Sequence, residues 1–379
     1  MIMRLLIIAV LATSTVFAQT PIDKSASKKT RYLLGNLKRV SDLGVMFGHQ
    51  DDQAYGVGWR NEDNRSDVLQ TVGQYPAVHG WDLGKRLDHE MNIDSVNFEN
   101  MRKWIMAAYK RGGVNTVSWH LDNLTSGGDS WDRTSSVSDI LPGGSKHSDF
   151  NNQLDLLADF FKSVSKAPIV FRPWHEHNGS WFWWGKNNCT EQEYIQLYRY
   201  TVTYLRDQKK VHNLLYAFSP DRSAWNIDGN DAKTNYFYGY PGDDYVDVIG
   251  LDDYADVGRL GGPHSAQEQA DYYEKALILI SEIADEKDKV AALTETGLEG
   301  ITNPKWFTEV LYKPIQENTR DIRLAWVLVW RNSTTKHHYA PYPGHPSVPD
   351  FVEFESIHQT IFEKDLKKLM YKKPLKNLK

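Results

Sequence analysis

Two glutamates, Glu176 and Glu295, each stand at the end of a short apolar stretch of the sequence. The first stretch is Pro168-Ile-Val-Phe-Arg-Pro-Trp-His175 and the second is Val290-Ala-Ala-Leu-Thr294. Buried parallel strands read as nearly continuous apolar runs, and catalytic residues of a (β/α)8 barrel lie where such strands end. Two carboxyl groups that face one cleft suit cleavage of a glycosidic bond, because one protonates the leaving oxygen and the other attacks the anomeric carbon. The alternative, two unrelated surface glutamates, explains neither the preceding runs nor the aromatic residues near Glu176.

The surroundings of the two glutamates in sequence suggest which one is the acid. A general acid must stay protonated near neutral pH, so its pKa must be raised by partial burial or by a neighbouring carboxylate. Glu176 is the better candidate because tryptophans surround it in sequence, namely Trp174, Trp181 and Trp183. The nucleophile must stay ionised, which requires hydrogen-bond donors. Candidate donors to Glu295 are Arg172, His175 and Tyr254.

Other catalytic chemistries fit the sequence less well. His175-Glu-His177 has a spacing used by metal ligands, but on a strand the two histidines would share a face while Glu176 pointed away, leaving too few ligands. There is no G-x-S-x-G motif, and Cys189 has no evident general base nearby in sequence. We therefore expect neither a metal nor another cofactor.

Eight strand-like runs alternate with helical patterns along the chain. They are Gly44–Gly48, Ala77–Trp81, Val114–His120, Ile169–Arg172, Leu214–Phe218, Val246–Leu251, Val290–Thr294 and Leu324–Trp330. Strand alternating with helix indicates a parallel sheet, and eight repeats favour a closed barrel over an open doubly wound sheet. The sequence thus predicts an α/β protein with a single (β/α)8 TIM barrel. The Ser-, Gly- and Asp-rich loop from Leu121 to about His147 is long enough to form a cleft wall or a lid.

Seven of the eight predicted strands end in polar or aromatic residues. These are His49, Gln50 and Asp51; Trp81 and Asp82; His120; His175, Glu176 and His177; Asp252, Asp253 and Tyr254; Glu295; and Trp330 and Arg331. Such positions form one ring around the mouth of a barrel, so we expect residues distant in sequence to converge there. The 13 tryptophans of the chain fit this expectation, since indole faces pack against the apolar faces of sugar rings.

Both ends of the chain carry further signals. Residues 1–18 combine Arg4, an apolar core and Val16-Phe-Ala18, which is typical of a cleavable signal peptide and leaves residues 19–379 as one catalytic domain. We therefore expect a secreted or periplasmic protein. The net charge of −5 argues against nucleic acid and anionic membranes as partners. The Lys-rich end, from Lys364 onward, continues an apolar pattern that begins at Phe351 and is expected to form a last helix.

The segment Trp174-His-Glu-His-Asn-Gly-Ser-Trp-Phe-Trp-Trp-Gly185 closely resembles the acid/base segment of glycoside hydrolase family 26. The resemblance extends over nearly the whole chain. Further matching motifs, in order, are Gly48-His-Gln50, Gly80-Trp-Asp82, Ser118-Trp-His120, Ile249-Gly-Leu-Asp-Asp-Tyr254, Thr294-Glu-Thr-Gly297 and Trp330-Arg-Asn332. Most members of that family are secreted β-mannanases that act with retention on a (β/α)8 barrel.

The resemblance implies a role for each matching residue. Glu176 takes the place of the acid/base and Glu295 that of the nucleophile, with Tyr254 hydrogen-bonded to Glu295. The other matching positions are expected to bind substrate. Around the sugar of subsite −1 these are His120, His175 and Trp330; Trp181 is expected at subsite +1, and Trp81 and Asp82 beside the negative subsites.

The function implied is that of a retaining endo-β-1,4-mannanase, acting as a monomer on mannan, glucomannan or galactomannan. Three alternatives share the same machinery: an exo-acting mannobiose-releasing mannanase, a β-1,3-xylanase and a mixed-linkage glucanase. A fourth, a carbohydrate-binding protein on an inactive barrel, predicts the loss of one glutamate, whereas both are present.

Overall fold

The computed structural model describes residues 20–374, and eight parallel strands form a closed barrel within that range. Strands β2 (Tyr55–Gly56) and β3 (Trp59–Arg60) form a separate hairpin, and the short strand β11 (Thr360–Ile361) adds to β1. The barrel closes where β10 pairs with β1. The barrel strands are β1 (Val45–Gln50), β4 (Val78–Asp82), β5 (Val114–Trp119), β6 (Ile169–Pro173), β7 (Leu214–Phe218), β8 (Val248–Asp253), β9 (Val290–Thr296) and β10 (Trp326–Val329).

Helices occupy most of the connections between these strands. They are α1 (Lys28–Val40), α2 (Asp67–Val72), α3 (Phe98–Arg111), α4 (Val137–Ile140), α5 (His147–Ser163), α6 (Glu191–Thr203), α7 (Ala232–Tyr236), α8 (Ala266–Glu286), α9 (Lys313–Glu317) and α10 (Val348–Ser356). Two π-helical segments extend this set, Tyr204–Gln208 after α6 and Phe307–Tyr312 before α9. The predicted (β/α)8 barrel is confirmed.

Local sequence explains where the principal helices begin and end. Thr190 and Ser265 each form a capping box with the glutamate three residues later, which satisfies free backbone N–H groups at the starts of α6 and α8. Helix α3 buries the apolar stripe that includes Met101 and Ile105, and it ends at Gly112, whose φ of 116° is readily adopted by glycine.

Helix α1 closes the end of the barrel where the strands begin. Its residues Leu33, Leu34 and Leu37 are buried in the same cluster as Met46 and Leu215 from the strands, and the helix contacts both β7 and β9. The loops that follow the strands surround the opposite mouth of the barrel, where active sites of this fold lie.

The end of the chain differs from the prediction. The apolar pattern that starts at Phe351 forms α10 but stops at Ser356, and the described Lys-rich residues form turns and a short 3-10 helix, Leu369–Tyr371. The predicted last helix is wrong there because Asn36 of α1 donates hydrogen bonds to the carbonyl groups of Leu369, Met370 and Lys372, which holds the segment in a non-helical path.

Two further points concern the predicted signal peptide and membrane-spanning helices. The proposed signal peptide, residues 1–18, lies outside the described residues, as do residues 375–379. Between residues 20 and 374, none of the helices has the length and apolar character needed to cross a bilayer.

Candidate active site

Glu176 lies in a tight turn directly after β6. Its backbone φ is 54°, as is that of Trp174, a conformation that side chains other than glycine rarely adopt. The Glu176 N–H donates to the carbonyl of Ser219 across 2.8 Å, which fixes the turn against the end of β7. Strain of this kind is found where the surrounding structure holds a functional residue in place.

The Glu176 carboxyl group has an environment that favours its protonated form. Burial raises its pKa well above the ordinary value, and the negative charges of Asp221, Glu295 and Asp252 raise it further. The indole Nε1 of Trp181 donates to Oε2 of Glu176 across 2.7 Å, which opposes this shift in part. A carboxylic acid that keeps its proton near neutral pH can act as a general acid.

Glu295 occupies an irregularity of β9. The strand has an extra residue between Leu293 and Thr296 relative to both of its neighbours, β8 and β10. A bulge of this type redirects a side chain at the rim of a barrel. Thr294 stabilises this bulge. Its hydroxyl lies 2.7 Å from an Asp252 carboxylate oxygen and 3.0 Å from the Leu251 carbonyl oxygen.

Two donors hold the Glu295 carboxylate, one on each oxygen. The Tyr254 hydroxyl donates to Oε1 across 2.9 Å, and Nη2 of Arg172 donates to Oε2. Burial raises the pKa of Tyr254 well above the ordinary value, so this phenol remains a donor. With both oxygens bonded, the Glu295 carboxylate is held in one orientation, as a nucleophile requires.

Arg172 links the two halves of the site. It is almost fully buried, donates through Nη1 to Asp252 and to the Ser219 hydroxyl, and reaches Glu295 through Nη2. Burial alone would lower the pKa of the guanidinium, but the charges of Asp252 and Glu295 outweigh it and raise the pKa. A planar fork with several donors can hold two carboxylates at once in a fixed geometry.

His120 and His175 form a second hydrogen-bonded unit beside Glu176. Nδ1 of His120 donates to the Asp82 carboxylate across 2.7 Å, and the Nε2 atoms of the two histidines lie 3.1 Å apart. Burial would lower the pKa of His120, but the charge and hydrogen bond of Asp82 raise it. Burial and the charge of Arg172 lower the pKa of His175 well below the ordinary value. His120 is therefore the donor in the pair and neutral His175 the acceptor.

Two of the predicted substrate contacts, Trp81 and Asp82, are wrong in this structure. Trp81 is fully buried, stacks on Trp104 of α3 with ring centroids 6.1 Å apart, and donates to Asn115, so it packs between the barrel and its helices. Asp82 is also fully buried, and its oxygens bind His120, Ser118 and the Gly84 N–H. Asp82 positions His120 and has no access to a sugar.

His175 and His177 do not share one face, contrary to the prediction for a continuing strand. Strand β6 ends at Pro173, and the turn directs His177 away to the Tyr238 carbonyl, at 2.6 Å, and onto the Tyr194 ring. His175 instead contacts His120, so it is not a donor to Glu295 as expected. In the range 20–374, no group of three or more His, Cys, Asp or Glu side chains is arranged to hold a metal ion.

Three partly exposed tryptophans contact Glu176 or residues beside the two glutamates. The indole of Trp181 is bonded to Glu176, and the backbone N–H of Trp330 donates to the carbonyl of Thr296, the residue after Glu295. Trp131, on the long loop after β5, is 48% exposed and stacks on His120 with a centroid distance of 5.4 Å and an interplanar angle of 17°. Trp174 and Trp183, expected beside Glu176, are instead fully buried in the core.

Residues that follow β7 also contribute to the site and were not predicted. Ser219 accepts the Glu176 N–H and a hydrogen bond from Arg172, and the charge of Asp221 raises the pKa of Glu176. The sequence contains a signal for this contribution. In Phe218-Ser-Pro-Asp221, polar residues directly follow an apolar run, as they do at the other seven strand ends.

Comparisons with known proteins agree on one family. The profile of glycosyl hydrolase family 26 matches residues 22–310. A mannan endo-1,4-β-mannosidase from Bifidobacterium adolescentis is 33% identical over 366 residues, which cover 89% of this chain and 35% of the relative. A solved GH26 β-mannanase from Bacteroides ovatus is 39% identical, with a TM-score of 0.83 over 93% of this chain and 99% of that one.

A second solved structure, a modular endo-β-1,4-mannanase from Cellulomonas fimi, is 34% identical with a TM-score of 0.83, covering 94% of this chain and 80% of that one. The chain thus spans about a third of the length of the Bifidobacterium relative but nearly all of the Bacteroides structure.

Proposed function

Because the chain belongs to glycosyl hydrolase family 26, we propose that it is a retaining endo-β-1,4-mannanase that hydrolyses mannan, glucomannan or galactomannan. The relatives support this substrate class, since those compared above are named as mannanases or mannosidases. The observation that carries the proposal is the contrast between Glu176, buried near three other carboxyl groups that raise its pKa, and Glu295, held by two donors, at one barrel mouth.

In the first step of the proposed reaction, a glycosyl-enzyme bond forms. An oxygen of Glu295 attacks the anomeric carbon while Glu176 transfers its proton to the departing glycosidic oxygen. As negative charge leaves Glu295, its attraction to Arg172 weakens, and Asp252 keeps the guanidinium in place through its own hydrogen bond. Tyr254 remains bonded to the other carboxylate oxygen and holds the nucleophile in orientation.

In the second step, water cleaves the glycosyl-enzyme bond. Glu176 is now ionised and takes a proton from water, and the oxygen of that water bonds to the anomeric carbon as Glu295 departs. Loss of the Glu295 charge on forming the ester removes one of the influences that raise the pKa of Glu176, which favours its ionised form at this stage. Two inversions at one carbon retain its configuration.

The neighbouring side chains bind the sugar that undergoes reaction. We assign Trp330 as the platform of subsite −1 and Trp181 as the platform of subsite +1, because both are partly exposed and next to a catalytic glutamate. His120, whose Nδ1 bonds to Asp82 and whose Nε2 bonds to His175, borders this sugar with its ring. His175 is almost fully buried and orients His120 through the contact between their Nε2 atoms.

The proposed activity is tested by a product time course on linear mannan. We expect the wild type to release a spread of oligosaccharides from the start, whereas Glu295→Ala releases none; Glu282→Ala, an exposed glutamate on α8, is the matched control. Mannobiose as the sole early product would favour the exo-acting alternative. Absence of reducing sugar from every mannan tested with the wild type would contradict the proposal.

We further propose that the protein is exported from the cytoplasm and is a monomer. Polysaccharides are too large to enter a cell intact, so an enzyme that cleaves their interior bonds acts outside the cytoplasm. Mass spectrometry of protein recovered from outside the cytoplasm should show a chain that begins at Gln19. Sedimentation of that protein should give the mass of one chain, and a stable dimer would contradict the monomeric state.

A further inference from the structure

Asn178, two residues after Glu176, binds the loop that follows β7 through its side chain. Its Nδ2 donates to the Asp221 carbonyl across 2.7 Å, and the Asp221 N–H donates to its Oδ1 across 2.7 Å. Within residues 20–374, both hydrogen bonds of this buried side chain go to Asp221. A carboxamide carries the same kinds of donor and acceptor as a peptide group, so this pair of bonds between Asn178 and Asp221, the amide clamp, satisfies both backbone groups of one residue.

The amide clamp continues the attachment of β6 to β7 beyond the end of their regular pairing, which stops short of Glu176. The Glu176 N–H donates to the carbonyl of Ser219, and Asn178 binds Asp221, which in each case is the residue 43 positions later. The turn that carries Glu176 is therefore attached at two points. Two attachments hold this turn in the unfavourable backbone conformation of Glu176, whose φ is 54°.

The loop that follows β7 is itself fixed to β8. The N–H of Arg222 donates to the Asp252 carbonyl across 2.8 Å, and the N–H of Asp252 donates to the Pro220 carbonyl across 3.0 Å. The Asp252 carboxylate binds Arg172, which also donates to Glu295. The amide clamp thus completes a path of hydrogen bonds from the turn of the acid to the nucleophile.

The amide clamp also fixes the place of a charged group beside the acid. Burial raises the pKa of the Asp221 carboxyl group, and hydrogen bonds from the Ser223 hydroxyl and the Ala224 N–H oppose that rise. The charged groups that face Glu176 are Asp221, Glu295, Asp252 and Arg172. Burial contributes most to the raised pKa of Glu176, and among the negative charges Asp221 contributes most. If Asp221 moved away, the pKa of Glu176 would fall.

We propose that Asn178 is the positioning residue of the acid, because its side chain ties the turn that carries Glu176 to the backbone of Asp221. The inference deepens the function proposed above and rests on it. Asn178 acts through its neighbours, since both of its amide heteroatoms are bonded to Asp221. It keeps Glu176 in place while the proton of that carboxyl group leaves in the first step and returns in the second.

An NMR titration of the Glu176 carboxyl group tests the amide clamp without any substrate. Protein labelled at the carboxyl carbon of glutamate would be titrated, and Glu176→Gln would identify the signal. We expect a lower midpoint for Glu176 in Asn178→Ala, because Asp221 is no longer held beside it. We also expect a lower midpoint in Asp221→Asn, which keeps the backbone groups of the clamp and removes only the charge.

Asn213→Ala is the matched control. Asn213 is buried directly before β7, at the opposite end of the barrel from Glu176. Its Nδ2 donates to the carbonyls of Phe161 and Ala167 across 3.3 and 3.1 Å, so the control also removes an amide with two hydrogen bonds to the backbone. Its melting temperature should fall while the Glu176 midpoint stays unchanged. A role of Asn178 in stability alone predicts the same behaviour for Asn178→Ala.

Steady-state kinetics on mannan give a second readout. Asn178→Ala should lower kcat about 10²-fold, since a misplacement of about 1 Å in a catalytic group can cost this much, while KM should change little. The alkaline limb of the kcat/KM profile should move to lower pH in Asn178→Ala and in Asp221→Asn, because activity requires the protonated acid and its pKa has fallen. Asn213→Ala should keep the wild-type kcat and profile.

An unchanged Glu176 midpoint in Asn178→Ala or in Asp221→Asn would overturn the proposal. An Asn178→Ala enzyme that melts at a lower temperature but keeps the wild-type kcat and pH profile would also overturn it. Failure of the proposed function has a different signature, namely a wild type that hydrolyses no mannan, and the Glu176 midpoints would still decide whether Asn178 positions this carboxyl group.

Discussion

The indole N–H of Trp181 donates a hydrogen bond of 2.7 Å to the Glu176 carboxyl group, so the tryptophan proposed for subsite +1 also influences the proton affinity of the acid. A donor stabilises the ionised form of a carboxyl group and lowers its pKa. In Glu176 this effect opposes burial and three negative charges, which together raise the pKa.

Trp181→Phe should therefore raise the pKa of Glu176 further. Activity requires the protonated acid, so kcat/KM falls as pH rises through this pKa, and the alkaline limb of the profile should move to higher pH. Trp59→Phe is the control, since it removes an indole hydrogen bond of 2.7 Å to Asp67 instead. A limb that moves to lower pH, or that moves equally in the control, would contradict the role of Trp181.

Glu176→Ala should discriminate between substrates by their leaving groups. Loss of general-acid catalysis should cost about 10²- to 10⁴-fold with mannan, because a sugar leaving group must be protonated. With an aryl glycoside whose phenol is a good leaving group, the glycosylation step should be much less affected. Pre-steady-state release of the phenol measures this step directly, and equal loss on both substrates would argue against the acid role.

Tyr254→Phe should weaken catalysis without abolishing it. The variant removes the donor to Glu295 Oε1 but leaves Arg172 on the other oxygen. A hydrogen bond to a charged group contributes about 1.5–3 kcal/mol, which corresponds to a loss of about 10- to 150-fold in kcat/KM. Tyr240→Phe, which removes a bond of 2.8 Å to Asp243, is the control and should retain full activity. Wild-type kinetics for Tyr254→Phe would remove the hydroxyl from the mechanism.

Asp82→Asn should lower the pKa of His120, because the variant removes the charge that raises it. NMR titration of the His120 ring would show the change as a lower midpoint. The wild type should also be more stable than Asp82→Asn, with the full advantage between about pH 4, where Asp82 becomes ionised in the unfolded chain, and pH 6.5, where His120 loses its proton in the unfolded chain. That advantage should be lost as pH falls through the lowered Asp82 pKa or rises through the raised His120 pKa; a difference that is the same inside and outside these limits would contradict the pairing.

The barrel was predictable because its strands are buried on both faces. Continuous apolar runs such as Leu214–Phe218 stand out from the amphipathic helices between them, and Leu214–Phe218 forms a strand with the predicted bounds. The predicted positions of the strand ends were less accurate. Strand β8 begins at Val248 and runs on to Asp253, since Asp252 and Asp253 still pair with β9.

The direction of individual side chains could not be read from the sequence. Trp81 and Asp82 are adjacent on β4, so they point to opposite sides, and no pattern in the chain says that the indole faces α3. The bulge that aims Glu295 depends on register with both neighbouring strands. The turn at Glu176 depends on a backbone hydrogen bond to Ser219, 43 residues later, so long-range pairing decided both positions.

The most direct test of the account is to trap the glycosyl-enzyme intermediate. A 2-deoxy-2-fluoro mannosyl or mannobiosyl fluoride forms the ester but slows its hydrolysis, and peptide mass spectrometry then locates the added sugar. We predict one sugar on the peptide that contains Glu295, no label in Glu295→Ala, and an initial product of retained configuration. A label on another carboxylate, or an initial product of inverted configuration, would contradict the assignment of Glu295 as the nucleophile.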